Sequence, residues 1–375
     1  MASLPERDFS PHSVKLAWVL AAAYLLLIVY ASLQPFRDWR SPPDEILHFL
    51  FAPWPRYVTL GDVAVNVAAY VPLGFFLSIA CATRLGPAGG AAVCVLAAAL
   101  LSFAMELVQM YLPARIASNV DLLANSLGAL IGAMAAPLFA PARILGGKLH
   151  ALRHRLFVEG MTADAGLVVA GLWLATQFHP QAQLFGTGGI RATFDLPAQF
   201  VHTPLLALTG EGVVVLFNLL GVGLLLAACT RREGQPLTAI AVAVGAALLI
   251  KAYTAAALVK AEAPLSWLTP GVLLGLGAGW LLLMAAVRLP RRTQLAAAAA
   301  CIVVATVAIN LAPVNPYLSP PPRLLARGAS HFLSFSAIAR ALSELWPLLA
   351  VSYLVFALAE RTSDAGGEAP RGHQI

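Results

Sequence analysis

Polar side chains interrupt three consecutive apolar segments near the start of the chain, at the spacing of one helical face. They are Asp62 and Asn66, then Ser102, Glu106 and Gln109, then Asp121 and Asn125. Residues three or four positions apart share one side of an α-helix. Acids and amides are costly inside a membrane-spanning helix and face inward there. The pattern therefore predicts that three neighbouring helices turn these groups towards one shared space.

These groups could transfer a proton and bind a polar ligand. The catalytic candidates are Asp44 and His48 in the preceding loop, with Glu106 and Asp121, because an acid paired with an imidazole can move a proton. Arg115 would hold a phosphate, and the amides would hold sugar hydroxyls. The predicted substrate-binding residues are Asp62, Asn66, Glu106, Gln109, Arg115, Asp121 and Asn125.

Each residue also has a structural explanation. Asp62 and Asp121 could cap helices, since acids are favourable at helix N-termini, and Glu106 could form a salt bridge with Arg115. Gly128 and Gly132 are typical of close helix packing. The chain has no catalytic-triad order, phosphate loop, His-rich metal motif or nucleotide fingerprint. We expect neither a metal nor another cofactor.

The composition indicates a membrane protein. Of 375 residues, 59% are hydrophobic and 11% are charged, and the mean hydropathy is +0.79. A soluble domain has about 25% charged residues, so a soluble enzyme and a nucleic-acid-binding domain are excluded. The excess of 24 Lys and Arg over 18 Asp and Glu fits basic residues at the ends of membrane-spanning helices.

The elements that must position the polar groups are apolar runs of about 20 residues, the length that spans a bilayer. About ten runs begin near residues 14, 63, 88, 120, 165, 205, 237, 265, 295 and 332. The expected fold is an all-α, polytopic transmembrane helical bundle. We predict a four-helix membrane domain over 1–142, a second domain of about six helices over 143–360, and a disordered cytoplasmic tail over 361–375.

The distribution of Lys and Arg predicts the orientation. With the N-terminus inside, 14 fall on the cytoplasmic side and 8 on the other, while Lys251 and Arg340 lie within spans. Cytoplasmic loops carry the excess of Lys and Arg, so both termini are predicted to be cytoplasmic. The loops 35–61 and 179–204 and the turn 111–119 would then face outward. The loop 179–204 either lies on the outer surface or dips into the bundle.

An ordered set of polar, proline and glycine residues extends from Ser32 to Leu138. It comprises Ser32, Pro35, Asp44, His48, Asp62, Asn66, Pro72, Gly74, Ser102, Glu106, Gln109, Arg115, Asp121, Asn125, Gly128 and Gly132. In this order and spacing, the segment resembles the VanZ-like family of small bacterial membrane proteins. Family members often have Asp-Lys before the loop histidine, whereas Glu45 follows Asp44 here.

The resemblance implies a multi-pass protein of the bacterial cytoplasmic membrane. The family's namesake is associated with low-level resistance to the glycopeptide teicoplanin. That association concerns the outer cell envelope, in agreement with an outward-facing site, and it does not supply a reaction.

Three functions are compatible with these features. The first, which we favour, is an outward-facing site that binds or modifies a lipid-linked cell-envelope component, with catalysis left open. The second is a proton- or ion-coupled transporter, although the polar groups cluster near one surface rather than at the midplane. The third is a non-catalytic accessory membrane subunit. The expected partners are membrane lipids and, for the first function, a lipid-linked envelope precursor, but no nucleic acid.

Cysteine labelling tests the predicted orientation. In a variant without the four native cysteines, a cysteine at position 150 should be protected from an impermeant reagent in intact cells. One in the loop 179–204 should react, because the Lys and Arg distribution places that loop outside. Reaction at position 150 alone would reverse the orientation.

Overall fold

The structure is a computed structural model that describes the chain in segments. The described backbone comprises residues 11–33, 36, 38–42, 45–54, 60–113, 115–141, 143–179, 183–191, 204–256, 265–312 and 330–367. Side chains within these helices are not described at 11–12, 60–62, 82–84, 87, 204, 330–337 and 361–367.

The described residues form helices and no strand, so the all-α prediction is confirmed. The α-helices are α1 Pro11–Leu33, α2 His48–Phe51, α3 Leu60–Gln109, α4 Asn119–Ala135, α5 Ile144–Leu156, α6 Met161–Thr176, α7 Pro204–Cys229, α8 Pro236–Thr254, α9 Pro270–Ala286, α10 Arg291–Leu311 and α11 Ser330–Gly367. Short 3₁₀ helices cover Ala136–Phe139 and Arg232–Gly234.

Eight helical segments among the described residues are long and apolar enough to cross a membrane. They are Ser13–Leu33, Val63–Cys81, Ala88–Gln109, Asn119–Phe139, Leu205–Cys229, Pro236–Thr254, Arg291–Leu311 and Ile338–Glu360. The other two predicted spans correspond to α6 and α9, which have 16 and 17 residues. At 1.5 Å per residue these helices measure about 24 and 26 Å, less than the roughly 30 Å hydrocarbon core.

Helix α3 contains two spans, as the two apolar runs predicted. Gly86 breaks the helical backbone with φ 69° and ψ 173°. That left-handed φ favours glycine, which has no Cβ to clash. Gly86 therefore separates α3 into two spans, Val63–Cys81 and Ala88–Gln109.

The chain divides into two compact units, residues 1–152 with 325–341 and residues 153–324 with 342–375. In the first unit, glycines bring α4 onto the first span of α3. A Cβ on Gly128 would lie 2.1 Å from the carbonyl oxygen of Val67, and one on Gly132 would lie 2.0 Å from that of Val71. The close packing predicted for Gly128 and Gly132 is confirmed.

The centre of the second unit is α7, with 78% of its span buried, and α7 packs on α6, α9 and α10. Residues 183–190 of the loop 179–204 dip into this unit. The buried backbone is held by side chains: Gln177 accepts from Phe185 N at 3.3 Å, and Asn310 donates to Gly188 O at 2.7 Å. Non-helical backbone is tolerated at membrane depth where protein satisfies its polar groups.

Replacing Gly132 by Ala should destabilise the first unit, because its Cβ cannot fit beside the Val71 carbonyl. Overpacking costs typically 1–3 kcal/mol, so we expect a lower melting temperature and a lower yield of monodisperse protein. Gly89→Ala is the matched control, since its Cβ would meet only Leu85 Cβ at 3.5 Å. Equal melting of the two variants would contradict the packing role.

Candidate functional site

A small cavity lies in the first unit, among α1, both spans of α3, the α3–α4 turn, α4 and Ile338 of α11. Its volume is about 40 Å³, enough for roughly three water molecules. Six of the seven predicted binding residues line it: Asn66, Glu106, Gln109, Arg115, Asp121 and Asn125. The structure therefore brings polar groups from three helical segments and one turn to a single space.

Asn66 and Asp121 join the first span of α3 to α4. Nδ2 of Asn66 donates to Oδ1 of Asp121 at 2.9 Å. Asp121 lies in the first turn of α4, but the N-cap is Ser118, whose Oγ accepts from Val120 N. The suggestion that Asp121 caps α4 is therefore wrong. Its negative charge still suits the positive end of that helix.

Glu106 reaches from the end of α3 to the start of α4. This buried carboxylate accepts a hydrogen bond from Ser118 N at 2.9 Å through Oε2. The first backbone N–H groups of a helix have no partner within the helix, and a nearby acceptor satisfies them. Glu106 thereby stabilises the same helix end that Ser118 caps.

Gln109 and Arg115 both bind the last turn of α1. Nε2 of Gln109 donates to Ser32 O at 3.0 Å, and Nη2 of Arg115 donates to Ala31 O at 2.9 Å. The last carbonyls of a helix lack partners in that helix and carry partial negative charge. These two side chains supply donors to the C-terminus of α1, a role that the spacing of polar residues did not predict.

Two opposing effects act on the pKa of Arg115. Burial lowers the pKa of its guanidinium, and the carboxylates of Glu106 and Asp121 oppose that shift. The described lining thus contains two carboxylates and one guanidinium. These opposite charges compensate one another in part, as buried charges must.

Asn125 has an unsatisfied acceptor. Its Nδ2 donates to Ser102 Oγ at 2.9 Å, while Oδ1 is buried and has no hydrogen-bond partner among the described residues. Leaving a buried acceptor unpaired costs about 1–3 kcal/mol. A donor group in the cavity would remove that cost. The acceptor-rich lining therefore suits a ligand that donates hydrogen bonds.

The remaining predicted residues do not join the described cavity lining. His48 is exposed and pairs with Glu45, with 3.4 Å between Nδ1 and Oε2. Asp44 lies outside the described residues, and the side chain of Asp62 is not described. Tyr70 and Ser32 line the cavity but were absent from the predicted set. Among the described residues, no group of three His, Cys, Asp or Glu side chains could hold a metal ion.

The segment that supplies most of the cavity lining matches a known protein family. Residues 12–140, about a third of the chain, match the family model described as VanZ/LLP1. This confirms the resemblance to the VanZ-like family for that segment, which includes all six predicted residues in the lining. Neither the curated proteins nor the solved structures that were compared match the chain.

Replacing Arg115 by Met should destabilise the protein. It removes the donor to Ala31 O and leaves the carboxylates of Glu106 and Asp121 without the guanidinium. Removing one partner of a buried ion pair costs about 3–5 kcal/mol, so we expect a loss approaching that range in detergent denaturation.

A second substitution, at Glu106, tests whether the charges of Arg115 and Glu106 are coupled. Glu106→Gln keeps an acceptor for Ser118 N and removes one buried charge, so the double variant should be more stable than Arg115→Met alone. Coupling between neighbouring residues is typically 0.5–3 kcal/mol. Simple additivity of the two effects would mean that the charges of Arg115 and Glu106 are not coupled.

Proposed function

We propose that the VanZ-like segment binds a lipid-linked component of the cell envelope, with a hydrogen-bond donor of that component in the cavity. The observation that supports this most directly is the unpaired, buried Oδ1 of Asn125. Asn125 lines the cavity, and Glu106 and Asp121 add two carboxylates to the lining. A hydroxyl or amine of the ligand would satisfy the free acceptor.

The cavity favours such a group over a phosphate. Arg115, the residue assigned to a phosphate from the sequence, donates to Ala31 O and lies near two carboxylates. A phosphate would bring a further negative charge close to Glu106 and Asp121. The volume of about 40 Å³ admits one functional group rather than a whole sugar. We therefore assign recognition to a hydroxyl or amine and not to the phosphate linkage.

The proposed location is the outer side of the bacterial cytoplasmic membrane. The Lys and Arg distribution assigns the α3–α4 turn to that side. Lipid-linked envelope precursors are used there, and the glycopeptide association of the family's namesake concerns the same compartment. If the bound component is also modified, Glu106 and Asp121 are the proton acceptors in the cavity. The exposed pair of His48 and Glu45 has no part in this proposal.

A structural function is the second candidate, because the same polar groups cross-link the helices. Asn66 binds Asp121, and Ser102 binds Asn125. These bonds would serve an accessory membrane subunit without any ligand. A transport function is less favoured, because the cavity is small and Asp121 and Asn125 lie in the first two turns of α4.

Native mass spectrometry of the purified protein distinguishes these functions. The wild type should retain a polyprenyl-linked species, and Asn125→Leu should retain about ten-fold less, because the acceptor is lost. Ser126→Ala is the matched control on α4, since Ser126 Oγ donates within its own helix, to Leu122 O.

The melting temperature of each variant must accompany these spectra. Equal lipid retention by folded wild type and Asn125→Leu, or no envelope lipid on the wild type, would contradict the proposal. A large loss of stability in Asn125→Leu, with no envelope lipid on the folded wild type, would favour the structural function.

A further inference from the structure

Helix α5 presents a row of apolar side chains that the described residues leave exposed. Ile144 is 81% exposed, Leu145 45%, Leu149 43% and Leu152 50%. The spacing of Leu145, Leu149 and Leu152 places them on one side of the helix. Contiguous exposed apolar residues mark a contact surface with a partner or a membrane.

Near its start, α5 contacts the protein at Gly146, beside the apolar row. A Cβ on Gly146 would lie 2.0 Å from Ala140 O and 2.5 Å from Phe139 O, so the helix backbone lies directly on the end of the preceding 3₁₀ helix. This contact holds the start of α5 in one rotation. The apolar row therefore belongs to a helix whose start is packed in place, while its own side chains are exposed.

The position of α5 in the chain limits what can cover this row. The helix has 13 residues, about 20 Å at 1.5 Å per residue, too short to span a bilayer. It directly follows the span Asn119–Phe139, so its first turn lies at the membrane boundary. The exposed apolar residues at the end of that span, Met134 and Leu138, continue into Ile144.

Basic residues accompany the apolar row. Arg143 directly precedes α5, Lys148 lies in its second turn, and both are exposed. Arg153 and Arg155 follow in the sequence. No Asp or Glu occurs between Asp121 and Glu159. An amphipathic helix with basic residues beside its apolar side lies in the headgroup region, where anionic lipids attract it. This charge favours a lipid surface over a neutral protein partner.

We propose that α5 lies in the membrane interface and binds anionic phospholipid head groups through Arg143 and Lys148. Leu145, Leu149 and Leu152 insert among the upper acyl carbons, and the long basic side chains reach the phosphates. The Lys and Arg distribution assigns this binding to the cytoplasmic leaflet. The proposal is independent of the ligand of the cavity.

Fluorescence quenching in nanodiscs tests this inference. A bimane label on Leu149→Cys, with the native cysteines replaced, should be quenched by brominated phospholipid. A label on the exposed His150→Cys, on the other side of α5, should be quenched more strongly by aqueous iodide. At equal mole fraction, brominated phosphatidylglycerol should quench the label at 149 more than brominated phosphatidylcholine.

The basic residues should account for the lipid preference. Each Lys or Arg near an anionic surface increases the preference for anionic over neutral lipid about five-fold. The double variant Arg143→Gln with Lys148→Gln should therefore lose most of the preference for phosphatidylglycerol. Arg288→Gln is the matched control, an exposed basic residue in the second unit. Equal quenching by the two lipids in the wild type, or quenching at 149 by iodide alone, would overturn the proposal.

Native mass spectrometry gives a check without cysteine replacement. Wild type and Arg288→Gln protein should retain phosphatidylglycerol in preference to phosphatidylcholine, and Arg143→Gln with Lys148→Gln should not. An unchanged preference in the double variant would assign the anionic lipid to other residues and would also overturn the proposal.

Discussion

The close approach of α4 to the first span of α3 is the contact on which the rest of the site depends. Gly74, Gly128 and Gly132 have no room for a Cβ, because backbone carbonyls of the facing helix occupy that space. Gly128 contacts Val67, and Gly132, four residues later, contacts Val71, four residues later. The two helical segments therefore run parallel. This register sets Asn66 beside Asp121, and a wider separation would break that bond.

Polar groups in a bilayer must find partners within the protein, and the ends of α1 and α4 supply several of them. Gln109 and Arg115 donate to the last turn of α1, and Glu106 accepts from the backbone N–H of Ser118, the N-cap of α4. Helix ends expose backbone donors and acceptors, so they are natural places for buried side chains to bond. Asn125, which lines the cavity among these bonds, has an Oδ1 without a hydrogen-bond partner among the described residues.

Sequence periodicity predicted the membrane helices and the shared face of Asn66, Glu106, Gln109, Asp121 and Asn125, because apolar runs and three-to-four spacing are local properties. It did not predict that Arg115 binds the end of α1, since Ala31 is 84 positions away and offers a backbone carbonyl that side-chain patterns do not reveal. His48, a catalytic candidate from the sequence, is exposed beside Glu45 and does not line the described cavity, because the path of a loop depends on tertiary contacts. Two of the ten predicted spans, α6 and α9, have only 16 and 17 residues, because hydropathy along the chain does not fix where a helix ends.

The proposed function places a hydrogen-bond donor of an envelope lipid in the cavity, beside Asn125. An experimental structure of the full chain in native membrane lipid tests this most directly. Ligand density should lie within hydrogen-bond distance of Asn125 Oδ1, about 2.7–3.2 Å, and should continue into a lipid chain. A cavity that contains only water, or an Asn125 side chain whose Oδ1 bonds to the protein, would contradict it.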